Sequence, residues 1–219
     1  MNLDFTQIIP SIPYILAGIK LTVLVVVCSI LLGLVLAILL ALMKISRSKW
    51  LVLIADFYTS IFRGTPMVLQ LMIIYFGLPQ IIGFDIDQFP AAVLAFGLNS
   101  GAYVSEVIRA GIQAVDKGQQ EAASALGIPY RKMMSKIIMP QAFKNILPAL
   151  MNEFITLTKE SAMVTVIGAN DLMRRAYLVG GESYSYMEPL IFVAGVYYVL
   201  IMLLTLLGKA IERRLRTND

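Results

Sequence analysis

The sequence predicts an all-α integral membrane protein. It has five transmembrane helices, an external N-terminus, a cytoplasmic C-terminus and a short cytoplasmic helix between the third and fourth spans. Three observations carry this. The 219 residues are 58% hydrophobic and 15% charged, with a mean hydropathy of +0.78. Soluble domains have ~45–50% and ~25%, so a soluble enzyme of this composition would expose large apolar patches. Several uncharged runs reach the ~20 residues that a span needs. Lys and Arg also fall mostly on one side of those runs.

Composition excludes more. The net charge of +4 is too small to mark a nucleic-acid face, so no nucleic-acid partner is expected. There is no His and one Cys, Cys28. That removes an intrachain disulfide framework and the common His/Cys metal and nucleophile sets. Cys28 sits in an apolar run and reads as inert filling. The chain is read as a single domain over 1–219, with no internal repeat.

Each element follows in order. Residues 1–20, with Pro10 and Pro13, form an external lead-in lying on the membrane. The first span, 21–43, is uncharged and too long for a signal-peptide core, and no basic segment precedes it. Residues 46–62 form an interfacial helix with Lys49 and Trp50 at headgroup level. Thr65 is the expected N-cap and Pro66 the first helical residue of the second span, 66–84. The third span is 88–108. The fourth, 140–168, holds Lys144, Glu153, Lys159 and Glu160, and it counts as a span because the charge bias fails without it. The fifth is 189–208. The first loop carries Lys44, Arg47, Lys49 and Arg63. The third carries Arg109, Lys117, Arg131, Lys132 and Lys136, with Lys144 just beyond. The tail carries Lys209, Arg213, Arg214 and Arg216. The opposite side has only Lys20, Arg174 and Arg175, so the basic side is cytoplasmic. Asp171, Arg174 and Arg175 are expected to be solvated, or to dock an external partner. Asp56 is read as a solvated charge or a secondary partner contact.

The third loop is the most specific stretch. Asp116 followed by Gln119 is a capping-box pattern. A helix begins there and covers about 118–127. Gly127 and Pro129 stop it. Ala122, Ala123, Ala125 and Leu126 give it a small apolar face that nothing in the chain obviously covers. Glu121 suits its first turns. The residues alone fit either a plain amphipathic connector or a docking element for another surface.

Glu121-Ala122-Ala123, Gly127 three residues on, and Ile137-Ile138-Met139-Pro140 nine residues later resemble the EAA signature of permease subunits in binding-protein-dependent ABC importers. Met139 replaces the usual Leu. Arg63-Gly64-Thr65-Pro66 with Gln70, the segment from Tyr103 through Glu106 and Arg109, and Asn152-Glu153 through Lys159 are similar to the polar amino-acid branch of that family. The resemblance runs from about residue 14 to the C-terminus. It implies a coupling helix using Gly118, Glu121, Ala122, Ala123, Leu126 and Gly127, docked on a cytoplasmic ATP-binding subunit dimer. It also implies a second permease chain, an external substrate-binding protein, an amino-acid substrate and a bacterial inner-membrane location. The chain lacks G-x-x-x-x-G-K-[ST], so no cofactor is expected in it, and ATP and Mg belong to the partner ATPase subunit.

Carboxylates inside a membrane cost about 2.5–3.5 kcal/mol each at a helix centre. Asn152, Glu153, Thr156 and Glu160 share one helical flank. Asn99, Tyr103 and Glu106 share another, with Ser100 beside it. Two such stripes would line an acidic cavity, and a buried carboxylate wants a cation. All eight are candidate substrate contacts, with Glu153 reading the cationic group of a basic amino acid. The structural alternatives are an ion pair with Arg109 for Glu106, an interhelical partner for Glu160, and a hydroxyl or amide for Glu153. In a competing view the stripes are channel lining and selectivity lies in the binding protein. Other ligands for the same machinery are glutamine or another polar amino acid. The rival classes are a proton-coupled secondary transporter and a non-transporting anchor subunit.

Overall fold

A computed structural model describes residues 3–216; the side chains of 215 and 216 lie outside it. Every regular element among these residues is helical. A 3₁₀ turn at Phe5–Ser11 leads into α1 (Ile12–Leu16) and then α2 (Ile19–Lys44). At 1.5 Å per residue α2 is about 39 Å long, enough for the ~30 Å bilayer core. Its buried positions are Thr22, Val25, Val26, Ser29, Gly33, Ala37, Leu40 and Ala41, one stripe at helical spacing. That stripe meets α6 (Gln88–Gln113) through small residues. A Cβ on Gly33 would come within 3.0 Å of the Ser100 Cβ, and one on Gly97 within 2.6 Å of Leu32. Small residues let membrane helices approach closely where no hydrophobic force drives them together.

The next helix, α3 (Lys49–Gly64), is amphipathic as the sequence predicts. Trp50, Leu53, Ile54, Phe57 and Ile61 stay exposed on one side, and Ala55 and Thr59 are buried on the other. The chain then bends by 103° into the stretch Met67–Ile82. Here the expected cap is corrected. Pro66 is itself the extended N-cap residue, and the Thr65 hydroxyl donates back to the Ile61 carbonyl at 2.8 Å. The stretch comprises α4 (Met67–Met72), a π turn at Ile73–Gly77 and α5 (Leu78–Ile82). Pro79 lacks an N–H, and the ladder slips by one residue just before it.

The third long helix, α6 (Gln88–Gln113), runs past its expected end. It is followed by α7 (Lys117–Ala125), α8 (Tyr130–Met133), a second π turn at Met134–Ile138 ahead of Pro140, and α9 (Met139–Glu160). A 3₁₀ turn, Ser161–Ile167, continues α9 until Gly168. The segment after it was expected to be loop. It is a helix, α10 (Leu172–Ser183), preceding α11 (Met187–Arg216). Among the described residues, three helical stretches, Phe5–Lys44, Gln88–Gln113 and Met187–Arg214, are long and apolar enough to cross a membrane, and the bent pair makes up to four.

Three apolar cores hold these elements. Val25, Leu71, Ala95, Phe96, Leu157, Val164 and Ile167 centre the first. Ile8, Ile15, Leu172, Ala176, Val179 and Val193 form the second. The lead-in therefore packs on α10 and α11 rather than merely on lipid, and the Asp4 N–H donates to Glu188 Oε1 at 3.2 Å. Val115, Ala123, Met133, Ile138, Ala142 and Ile146 form the third, under α7.

Candidate functional site

The short helix α7 starts where the sequence places it. Asp116 Oδ1 accepts from the Gly118 N–H at 2.7 Å. Its end is a Schellman motif. Gly127 takes φ +67°, its N–H donates to the Ser124 carbonyl, and the Ile128 N–H donates to the Ala123 carbonyl. Ala123 is 2% exposed against the third core, so part of the face is covered by its own chain, contrary to expectation. Glu121, Ala122 and Gly127 are exposed, as is Gly118, and Leu126 is 78% exposed. A capped helix thus presents an exposed carboxylate and a bare leucine.

Polar side chains gather between α6 and α9. The Ser100 hydroxyl faces the Glu153 carboxylate, and Glu160 is near enough to add its negative field. Ser100 is 1% exposed and makes no well-aligned hydrogen bond within the chain. Glu153, Thr156 and Glu160 are half-buried, and Asn152 is exposed beside them. Lys159 lies close to Glu160. Among the described residues no cation sits within ion-pair distance of Glu153. Tyr103 is exposed, with the Arg63 guanidinium 5.4 Å from its ring centre.

Two of the expected contacts are engaged elsewhere. The Asn99 amide donates to the Phe62 carbonyl at 3.0 Å and to Gln70 Oε1 at 2.9 Å. Glu106 pairs with Lys44 on one oxygen, and on the other with Arg109 Nη2 at 2.7 Å. Ser100, Glu153, Thr156 and Glu160 remain as the assembled polar face, with Asn152 and Tyr103 at its margin.

Sequence reading missed three participants. Lys44 counts there only as a topological charge, yet its side chain is 3% exposed and it also lies 3.0 Å from Asp56. Gln70 gives no periodic signal, and it enters the sequence reading only through the resemblance at Arg63-Gly64-Thr65-Pro66, with no role attached. Asp171 was expected on the surface, and it is fully buried as the N-cap of α10. Its carboxylate accepts from the N–H groups of Arg174 (2.8 Å) and Met173 (3.2 Å) and from the Thr165 hydroxyl (3.0 Å). Burial still holds that carboxyl above the usual range. The signal was present: Asp is a favoured N-cap residue, and Asp171 directly precedes the Leu172-Met173 start of the helix.

Long apolar helices, a half-buried acidic face and a separate exposed helical handle define a multi-pass membrane transport subunit. The chain belongs to the family described as binding-protein-dependent transport system inner membrane component, which matches residues 29–217. It is 64% identical to the arginine transport system permease protein ArtQ of Bacillus subtilis (strain 168), over 219 residues and the full length of both chains. It is 52% identical over 206 residues to a provisional glutamine transport system permease protein, GlnP, of Rickettsia bellii (strain RML369-C), covering 94% of each chain. Its fold matches a crystal structure of an amino acid ABC transporter with histidines at a TM-score of 0.93 and 44% identity, covering 98% of this chain and 100% of that one.

Proposed function

We propose that this chain is the permease subunit of an ATP-driven importer for polar amino acids, with a basic side chain as the preferred cargo. The observation that carries the reading is Glu153, half-buried opposite Ser100 with no cation within ion-pair distance among the described residues. A guanidinium or ammonium ligand supplies the missing charge, and a guanidinium fits a carboxylate through two parallel donors. The likeness to ArtQ supports an arginine-type cargo. The likeness to GlnP keeps glutamine as the alternative, in which Glu153 reads the α-ammonium instead.

In this reading the chain does no covalent chemistry. ATP and Mg sit on a separate ATPase dimer, and α7 docks in that subunit through Glu121, Ala122, Leu126 and the Gly118 and Gly127 ends. An external binding protein delivers the cargo, and a second permease chain completes the path. The topology is five spans: α2, the stretch after the 103° bend, α6, α9 with its 3₁₀ extension, and α11. The N-terminus is external and α7 cytoplasmic. The Lys/Arg asymmetry of the loops supports that orientation.

The test is ligand-stimulated ATPase and uptake in proteoliposomes containing this chain, its ATPase partner and a binding protein loaded with Arg, Lys, His or Gln. Glu153→Gln is expected to abolish stimulation by Arg and Lys selectively. Equal stimulation by all ligands in both versions would reduce the polar face to channel lining. Uptake that survives ATP depletion and dies with an uncoupler would point to a proton-coupled transporter instead.

A further inference from the structure

The geometry points to Lys44 as a positioning residue that yokes α3 to the α7-side end of α6, so that displacement applied at α7 carries α3 with it. This rests on the reading of α7 as the ATPase-docking element.

The contacts form a continuous chain. Gln113 closes α6, three residues before the Asp116 cap of α7. Gln113, Val115, Lys117, Gln120 and Glu121 line a notch at that corner. Arg109 Nη1 donates to Gln113 Oε1 at 3.0 Å, and its Nε and Nη2 donate to Glu106 Oε2 at 3.0 and 2.7 Å. The other oxygen of Glu106 takes the Lys44 ammonium. Lys44 Nζ then reaches Asp56 Oδ1 at 3.0 Å and Thr59 Oγ1 at 2.8 Å, both on α3.

An ammonium has three donors, and here three acceptors from two other helices face it. The Lys44 side chain is 3% exposed, so losing either arm leaves a poorly solvated charge. The arrangement matters most for α3. Helices α2 and α6 are already joined along their small-residue stripe. By contrast α3 leaves a broad apolar side exposed. Besides the Lys44 arm, its ties to α6 among the described residues include the Tyr58 hydroxyl on the Leu98 carbonyl at 2.8 Å, the Asn99 bond to Phe62 and the Arg63 guanidinium over the Tyr103 ring at 5.4 Å. The Lys44 arm is the one that continues through Glu106 and Arg109 to Gln113 among the described residues.

The experiment measures uptake and ATP hydrolysis together, in proteoliposomes holding the whole transporter with arginine-loaded binding protein. Lys44→Met is expected to keep hydrolysis within about two-fold of wild type while uptake falls about ten-fold, so that ATP used per molecule transported rises about ten-fold. Asp56→Asn removes the charge from one of the two α3 acceptors, at a side chain that is 58% exposed, and leaves the Thr59 bond, so it is expected to move the ratio the same way by a smaller factor. Lys44→Arg is expected to restore it. An unchanged ratio in Asp56→Asn, or a parallel fall of uptake and hydrolysis in both variants, overturns the proposal. If Lys44→Met does not assemble, Asp56→Asn decides alone. A wild type that imports without ATP would refute the functional reading rather than this coupling role.

Discussion

Asn99 and Gln70 meet amide to amide at 2.9 Å inside the helix packing, and together they serve the carbonyls left open where α3 ends. Gln70 Nε2 donates to the Phe62 carbonyl at 2.9 Å and to the Thr65 carbonyl at 3.1 Å, and Asn99 Nδ2 adds a second bond to Phe62. A helix that breaks by 103° leaves its last carbonyls without intrahelical partners, and the two amides supply partners for those of Phe62 and Thr65. Replacing Gln70 or Asn99 by Leu is expected to destabilise by about 1–3 kcal/mol. The double variant is expected to cost less than the sum, because the two share one carbonyl. Thermal unfolding of the purified protein in detergent checks both statements, and strict additivity would contradict the shared network.

Gly18 and Gly195 make a contrasting pair. A Cβ on Gly18 would fall 2.6 Å from the Leu172 nitrogen and 2.7 Å from the Asp171 carbonyl carbon, all backbone; nothing lies within 4 Å of one on Gly195. Gly18→Ala is expected to cost about 1–3 kcal/mol by overpacking the joint between α2 and α10. Gly195→Ala in the middle of α11 is expected to be neutral or to stabilise by up to about 1 kcal/mol. The same melting measurement ranks them, and a reversed order would contradict the close approach.

In the proposed reading, Ala123 on α7 and its C-cap Leu126 separate folding from assembly. Ala123 is 2% exposed and Leu126 is 78% exposed. Ala123→Leu is expected to lower the melting temperature, by about 1–3 kcal/mol of overpacking in the third core. Leu126→Glu is expected to leave the melting temperature unchanged and to prevent co-purification of the ATPase subunit. Retention of the subunit by Leu126→Glu would move the docking surface away from this helix.

Asp171 offers a pH signature. Burial raises its carboxyl above the usual range, so the folded state holds the proton more tightly than the unfolded chain does. The sign follows: the stability this group contributes is full below its unfolded value of about 3.9, and it is lost as pH rises through its folded value. Asp171→Asn keeps the cap without the charge. It is expected to gain on wild type as pH rises from acid toward neutral. Asp171→Ala loses the cap and is expected to cost about 1 kcal/mol at any pH. Melting curves of the three proteins across the acid range test this, and a wild type that gains on Asp171→Asn with rising pH would reverse the argument.

Much of the architecture was legible because it is local. The apolar runs of α2, α6 and α11, the amphipathic period of α3, and the cap and glycine stop of α7 all lie within windows of a few turns. Family membership followed from Glu121-Ala122-Ala123, Gly127 and Pro140, a spacing fixed along the chain. The helix α10 was overlooked because its Arg174-Arg175 pair looks like an exposed loop, and only burial of the Asp171 cap shows otherwise.

What the chain could not disclose alone is which polar groups are already spent. Asn99 and Glu106 stand on the same stripe as Tyr103, and of the three only Glu106 had a structural alternative in view, the ion pair with Arg109. Partners 29 and 62 positions away, Gln70 and Lys44, engage the two stripe mates and leave Tyr103 beside Arg63. The hydrophobic period records which side of a helix avoids lipid, since burying apolar surface depends only on the helix itself. A hydrogen bond or ion pair between helices depends on the depth and rotation of a second helix. Those are set by close contacts such as Gly33 against Ser100, and they exist only once the bundle has packed.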